Sequence, residues 1–271
     1  MYRRSLCRRI RPALGIRSLV PPWWDYAVGM NGEVDRDPGA GVVDVWFQTV
    51  GGSEASKARD DLALLSADES ELHVGLREEA RLEYRTAHAL LRRVLSRYLP
   101  GHPKDWVFRS DEEGRPCLAN APGESHLDFN LSHTEGLVAC AVTGSGRVGV
   151  DVEVLDPQRP LDRVVERVLG EQERAWWQGL APEQQPMAFL DLWTLKEAHF
   201  KAWAEGVRWP FSGLEFVLES EDQAHRSGPF AEEVSGQGWY YTRRRPTPQH
   251  RMAVAFRGSE KPLWRVASFP A

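Results

Sequence analysis

Three apolar runs follow one another between Leu127 and Leu155: LDFNLSH, LVACAVT and RVGVDVEVL, separated by TEG and GSG. Short β-branched runs bounded by glycine turns read as strands. The third run constrains the fold most. It is valine-rich, as a buried strand is, yet it carries Asp151 and Glu153. Residues two apart on a strand share a face, so the two carboxylates project together. Carboxylates about 5–6 Å apart repel, and burying them unpaired costs several kcal/mol. A cation, a shared proton or basic partners must compensate. The alternative is an exposed strand face, where the pair is harmless.

The rest of the chain supplies strands and helices around this segment. Val42–Val50 is a strand, and LSADES reads as a helix start with an acidic first turn. From Arg77 to Leu99, Leu82, Ala89, Leu90, Val94 and Tyr98 recur at helical spacing, and Pro100–Gly101 ends the helix. WVFRS is a short strand, and DEEGRPCLAN is a turn feeding another. After Pro160 come three helices, LDRVVERVLG, EQERAWWQGL and QQPMAFLDLWTLKEAHFKAWAEG, then strands in LEFVLES, GWYYTRRR and HRMAVAFRG. The order repeats. Aligning Tyr84 with Trp193 sets His88 on Glu197, Ala89 on Ala198 and Arg92 on Lys201. An α+β chain of two similar halves, residues 41–146 and 147–271, is expected, with a site between them.

Composition excludes several classes. The chain has 271 residues, 42% hydrophobic and 27% charged, enough for one large domain or two small ones. A mean hydropathy of −0.46 and the lack of an apolar run near 20 residues argue against a membrane span. Net charge is −5, so nucleic acid finds no global positive field, and an anionic ligand needs a local basic patch. Cys7, Cys117 and Cys140 are too scattered for a disulfide framework, which fits a cytoplasmic location. The first 24 residues carry six arginines and no acid. Residues 1–40 are expected to be a poorly ordered extension ahead of or around a start at Met30, in preference to a transit segment.

Further residues gather around the acid pair. On a helix, Trp193, Glu197 and Lys201 stand at i, i+4 and i+8 and share a face. Asp151, Glu153 and Glu197 with Lys201 make a hard oxygen donor set without clustered His or Cys, suited to Mg²⁺ or Mn²⁺. An ordinary solvated Glu–Lys pair is the plainer alternative. Ser132 and His133 are adjacent at a strand end, where their side chains diverge. They do not form a nucleophile pair, and no G-x-S-x-G elbow exists; a hydroxyl and an imidazole flanking an anion fit better. Arg115 stands in the turn EGRPCL. No P-loop and no G-x-G-x-x-G follows a strand.

FNLSHT, GVDVE and WTLKEAHFKAWAEG, in this order and at these separations, resemble the surfactin-type 4′-phosphopantetheinyl transferases, in the branch carrying W…KEA. GRPCL resembles the motif that precedes these three, and LSADE and HALLRRVL resemble the N-terminal half. The resemblance spans roughly Val42 to Gly258. It implies a pseudo-twofold fold with coenzyme A as substrate between the halves. A serine hydroxyl of an apo acyl, aryl or peptidyl carrier protein attacks the β-phosphate, phosphopantetheine is transferred, and adenosine 3′,5′-bisphosphate leaves. Asp151, Glu153 and Glu197 match the metal-binding acids, Mg²⁺ or Mn²⁺ being the ion. Arg115, Ser132, His133 and Lys201 match coenzyme A contacts. Glu197, Lys201 and Asp151 are the expected catalytic groups: the metal and Lys201 neutralise charge at the attacked phosphorus, and Glu197 takes the serine proton directly or through a metal-bound water.

The lysines that the family places ahead of the first long helix are missing. His73, Arg77, Arg81, Arg85 and His88 are candidates for the 3′-phosphate, with His88 nearest the family's helix contact. The carriers serve fatty-acid, polyketide or nonribosomal-peptide synthesis, and their docking is expected on a basic helix end at Arg92, Arg93 and Arg97. A monomer is expected, with neither nucleic acid nor membrane as partner. A metal-dependent phosphodiesterase and a non-catalytic coenzyme A-binding module are the competing readings.

Overall fold

Two sheets share one apolar layer in the computed structural model, which describes residues 38–51, 55–112, 114–123, 125–156, 161–203, 211–227 and 238–270. The extension expected over residues 1–40 lies, up to residue 37, outside the described residues. In the first sheet, β1 (Val42–Thr49), β4 (Asp128–Thr134), β5 (Leu137–Thr143) and β11 (Leu263–Ser268) run in the order β11-β1-β5-β4. The second is built from β6 (Arg147–Val154), β7 (Glu215–Leu218), β8 (Gln223–Ser227), β9 (Gly238–Arg244) and β10 (His250–Gly258), in the order β6-β10-β9-β8-β7. A small hairpin pairs β2 (Phe108–Ser110) with β3 (Pro116–Leu118).

Alternation along each strand assigns its two faces. Val43, Val45, Leu137, Ala139 and Ala141 of the first sheet meet Val148, Val150, Val152, Met252, Val254 and Phe256 of the second. The residues between them point outward on each sheet. Trp46, Val138, Cys140 and Val142 pack under the helix α3 (Glu78–Tyr98). Ala253, Ala255 and Tyr241 pack under α6 (Gln185–Trp203). Strands covered on both faces read as continuous apolar runs, which is why LVACAVT and RVGV contain almost no polar residue.

The α+β class expected from the sequence holds, with one long helix on the outer face of each sheet. The remaining helices are α1 (Ala55–Leu64), α2 (Ala67–Gly75), α4 (Asp162–Val168) and α5 (Glu171–Gln178). LSADES starts α2 as its composition suggests: Ser66 caps the helix and Glu69 returns the bond to the Ser66 N–H at 2.8 Å. Among the described strands and α-helices, three escaped the sequence reading. Helix α1 and strand β8 are polar, and β11 is short. Strand β11 also departs from the division at residue 146, since it runs parallel to β1 and so belongs to the first sheet. Arg265 pairs with Asp44 at 2.5 Å, and Asp44 also accepts from the Tyr98 hydroxyl at 2.7 Å, so β1, β11 and α3 are tied together.

Two contacts place β6. Strands β6 and β4 are both sheet edges, and β4 fills the edge of β6 with side chains. Asp128 accepts from the Val148 N–H at 2.7 Å, Asn130 from Val150 at 2.9 Å and Ser132 from Val152 at 3.3 Å. Alternate residues of one strand thus satisfy alternate amides of the other, in place of a backbone ladder. On the opposite side α6 lies close because residue 149 is glycine. A Cβ there would stand 2.1 Å from the Ala198 carbonyl oxygen.

Candidate active site

The face of β6 that carries Gly149 also carries Asp151 and Glu153, and both point at α6. Trp193 Nε1 donates to Glu153 Oε1 at 3.1 Å, and Lys201 Nζ donates to Asp151 Oδ1 at 2.6 Å. Helix and strand therefore run in opposite directions. This answers why a buried strand tolerates two carboxylates: each has a donor from one face of the helix.

Lys201 gathers the site. Its ammonium also donates to Ser132 Oγ at 3.0 Å and to the Val150 carbonyl at 3.2 Å. The Ser132 hydroxyl donates to Asp151 Oδ1 at 3.1 Å. The structure thus brings Ser132, Asp151 and Lys201 into direct contact. Glu197 faces the same point. Burial, and then the charge of Asp151, push its carboxyl up to about 7, against the lowering effect of Lys201. Burial raises Asp151 as well, with Lys201 opposing. Burial would lower the Lys201 ammonium, but Asp151 and Glu197 hold it above its ordinary value.

This electrostatic balance bears on a metal. Oδ2 of Asp151 is buried without a hydrogen-bond partner among the described residues. A buried acid and a neighbour whose proton affinity it raises are a pair that a divalent cation would relieve. Asp151, Glu197 and Glu153 therefore fit a hard cation in donor chemistry. Among the described residues no three His, Cys, Asp or Glu side chains stand assembled as a ligand cluster, and Lys201 supplies the positive charge at Asp151 Oδ1.

Helix α6 is held along its length. Asp191 pairs with Arg243 at 2.9 Å and with Arg251 at 3.2 Å. Lys196, which the sequence reading passed over, is fully buried. It donates to Glu173 Oε2 at 2.6 Å and to the carbonyls of Phe211 and Leu214. At the far end the guanidinium of Arg115 reaches the Lys201 carbonyl. A lysine within an apolar helical run was the available signal for Lys196.

His133 is exposed on β4, on the opposite face from Ser132. His88 lies on α3, where Glu69 holds its Nδ1 at 2.8 Å and its ring lies tilted against Tyr84, with centroids 4.1 Å apart. Arg81 donates to the Leu76 carbonyl at 3.0 Å and the Val74 carbonyl at 2.7 Å, closing the end of α2. Beside it, Arg85 Nε and His73 Nε2 are buried without partners among the described residues. The basic helix end expected to dock a carrier is otherwise employed. Arg92 is 1% exposed and bonded to Glu69 and to the carbonyls of Pro103, Lys104 and Trp106. Arg93 pairs with Asp61 at 2.6 Å, and Arg97 lies over Trp46 at 4.6 Å. These arginines hold α3 to its neighbours, so among the described residues this helix end is not a free basic patch.

Residues 147–255 match the family described as the 4′-phosphopantetheinyl transferase superfamily. The chain is 33% identical over 153 residues to the 4′-phosphopantetheinyl transferase HetI of Nostoc sp., covering 56% of this chain and 65% of HetI. It is 32% identical over 146 residues to the 4′-phosphopantetheinyl transferase AcpT of Escherichia coli O157:H7, covering 54% of this chain and 72% of AcpT. Against the 4′-phosphopantetheinyl transferase gsp of Aneurinibacillus migulanus, identity is 31% over 126 residues, 46% of this chain and 49% of gsp. The matched stretch thus spans less than two thirds of HetI and of gsp. No described helix is long and apolar enough to cross a membrane.

Proposed function

Because the chain belongs to the 4′-phosphopantetheinyl transferase superfamily, we propose that it moves phosphopantetheine from coenzyme A to a serine of an apo carrier protein, releasing adenosine 3′,5′-bisphosphate. The observation that carries this reading is the placement of Lys201. Its ammonium is fixed between Ser132, Asp151 and the Val150 carbonyl, beside Glu197. A diphosphate attacked at phosphorus gathers negative charge on its oxygens, and a preorganised ammonium, its three N–H groups held by protein oxygens, stabilises that development through its charge. Glu197, with a carboxyl that titrates near pH 7, takes the proton of the attacking serine hydroxyl. The nucleophile comes from the carrier, so the chain needs no triad of its own.

Asp151, Glu153 and Glu197 would hold Mg²⁺ or Mn²⁺. When bound, the ion would supply charge neutralisation to the pyrophosphate. Trp193 keeps Glu153 turned toward that point through its indole N–H. Ser132 lines the approach of the diphosphate beside Lys201, and His133, exposed on the other face of β4, meets coenzyme A from outside that point. Glu69 fixes Nδ1 of His88, which leaves Nε2 as the ring nitrogen for the 3′-phosphate, with Arg85 and His73 as neighbouring donors. The W…KEA helix supports assignment to the surfactin-type branch. The site is built within one chain, which supports a monomer, with residues 41–146 giving Ser132 and residues 147–271 giving the acids and Lys201. Acyl, aryl and peptidyl carriers are all candidates.

Intact-mass analysis of an apo peptidyl carrier incubated with the protein, coenzyme A and Mg²⁺ tests the reading. One added phosphopantetheine, absent with EDTA and with Glu153→Ala, is expected. Unmodified peptidyl, polyketide and fatty-acid carriers, despite measurable coenzyme A binding, would reduce the chain to a binding module.

A further inference from the structure

We infer that Arg115 is a positioning residue for the transfer reaction, holding the last turn of α6, and so Lys201, against the strands that carry Ser132 and Asp151. This rests on the transferase reading above. It differs from the coenzyme A contact that the family resemblance implies for the same residue.

The turn before β3 fixes where Arg115 starts. Its amide donates to Asp111 Oδ1 at 2.8 Å, its carbonyl accepts from the Asp111 N–H at 2.9 Å, and Gly114 supplies the positive φ of 84° that closes the turn. From there the side chain runs inward and is 6% exposed. Nη2 donates to Asp128 Oδ2 at 2.8 Å and to the Phe129 carbonyl at 2.8 Å, both on β4, and to the Val148 carbonyl of β6 at 2.6 Å. Nη1 donates to the Lys201 carbonyl on α6.

One planar cation thus bonds all three elements that build the site. The carbonyls of a helix's last turn lack intrahelical partners, and an arginine there satisfies one and complements the helix dipole. The carbonyl it satisfies belongs to Lys201 itself. Asp128, which it also holds, is the first member of the β4 series that fills the edge of β6. Nη2 is spent on protein oxygens, Nη1 reaches the Lys201 carbonyl, and Nε is buried without a partner among the described residues, so the buried guanidinium presents no open two-nitrogen fork to a phosphate. A lysine at this position has one nitrogen for four acceptors at different points and cannot span them.

The test compares wild type, Arg115→Lys and Arg115→Ala. Saturated turnover is expected to fall by about 100-fold in Arg115→Ala, the usual cost of displacing a reacting group by about 1 Å. Arg115→Lys should fall between that variant and wild type. Coenzyme A affinity by calorimetry should change by less than about threefold. Added guanidinium should restore part of the lost turnover in Arg115→Ala. Hydrogen exchange should quicken at residues 196–203 and not in β5. A large loss of coenzyme A affinity with turnover intact would make Arg115 a ligand contact and overturn the inference. So would unchanged exchange at residues 196–203, or turnover per active site that stays at the wild-type value. Arg115→Lys carries the test if Arg115→Ala does not fold. If wild type itself transfers nothing, the functional reading fails, and the exchange data alone decide the clamp.

Discussion

Lys201 Nζ stands 2.6 Å from Oδ1 of Asp151, while Oδ2 of the same buried carboxylate has no partner among the described residues. Two charges are therefore matched on one side and open on the other. Asp151→Asn and Lys201→Met should each lower carrier modification by about 100-fold or more, the range for losing one preorganised charge-stabilising group. Because the two act as a pair, the double variant should be little worse than either single one. Losses that multiply, measured by single-turnover mass spectrometry, would show that the residues act independently.

Glu197, with its carboxyl pushed up to about 7 by burial and by Asp151, is partly protonated at neutral pH. A cation must displace that proton. Mg²⁺ affinity should therefore weaken as pH falls through 7, and binding should release protons. Calorimetry in two buffers of different ionisation enthalpy reads the release directly. Glu197→Gln should abolish it, and an equal release from that variant would place the titrating group elsewhere.

Asn130 fills the middle amide of the β6 edge. In Asn130→Ala the buried Val150 N–H loses its acceptor, at a cost of about 1–3 kcal/mol. Asn130→Asp keeps an acceptor oxygen and should retain more stability. Urea unfolding monitored by tryptophan fluorescence compares them, and equal midpoints for wild type and Asn130→Ala would mean that the edge is satisfied in another way.

At residue 149, a methyl group would collide with the backbone of α6, at the Ala198 carbonyl and the Ala202 nitrogen, the latter 2.6 Å away. Neither is the end of a flexible side chain, so the helix itself must shift. Gly149→Ala should cost about 1–3 kcal/mol or more as an overpacked contact, and any folded protein should bind Mg²⁺ more weakly, since Glu197 moves with the helix. Wild-type melting temperature in that variant would contradict the close approach.

His199 is fully buried and bonds the Tyr241 hydroxyl at 2.8 Å. Burial, with Arg226 and Arg257 nearby, lowers its pKa to about 3. The unfolded chain accepts a proton on this ring below about 6.5, whereas the fold does not. Its contribution to stability is whole above that pH and is lost as pH falls toward 3, at about 1.4 kcal/mol per unit well inside the window. Denaturation free energies at pH 7.5, 6 and 5 should trace this slope, and His199→Gln should flatten it.

Periodicity made most of the fold readable. The run from Val42, the helix ending at Pro100 and the valine strand all announce their faces, because each buries apolar residues on a regular period. The Ser66–Glu69 box is local chemistry and is equally plain. The β4–β6 edge was not legible: Asp128, Asn130 and Ser132 alternate as any half-exposed strand would, and only the pairing partner shows that the polar face looks inward. Arg92 misled for a related reason. Beside Arg93 and Arg97 it reads as a basic surface, and its burial depends on Glu69 from another helix. Strand β8, written QAHRS, carries no apolar alternation to find.

Strand β11 follows every strand of the second sheet, yet it completes the first by lying parallel to β1. During synthesis, then, the ribosome makes all of the second sheet while the outer edge of β1 still lacks its neighbour. An open strand edge recruits other chains, so the interval between translating residue 49 and residue 268 is the period of greatest exposure to misassembly. Order of manufacture and order of assembly differ in this protein, and a gene cut between the two sheets would strand the closing piece on the wrong fragment.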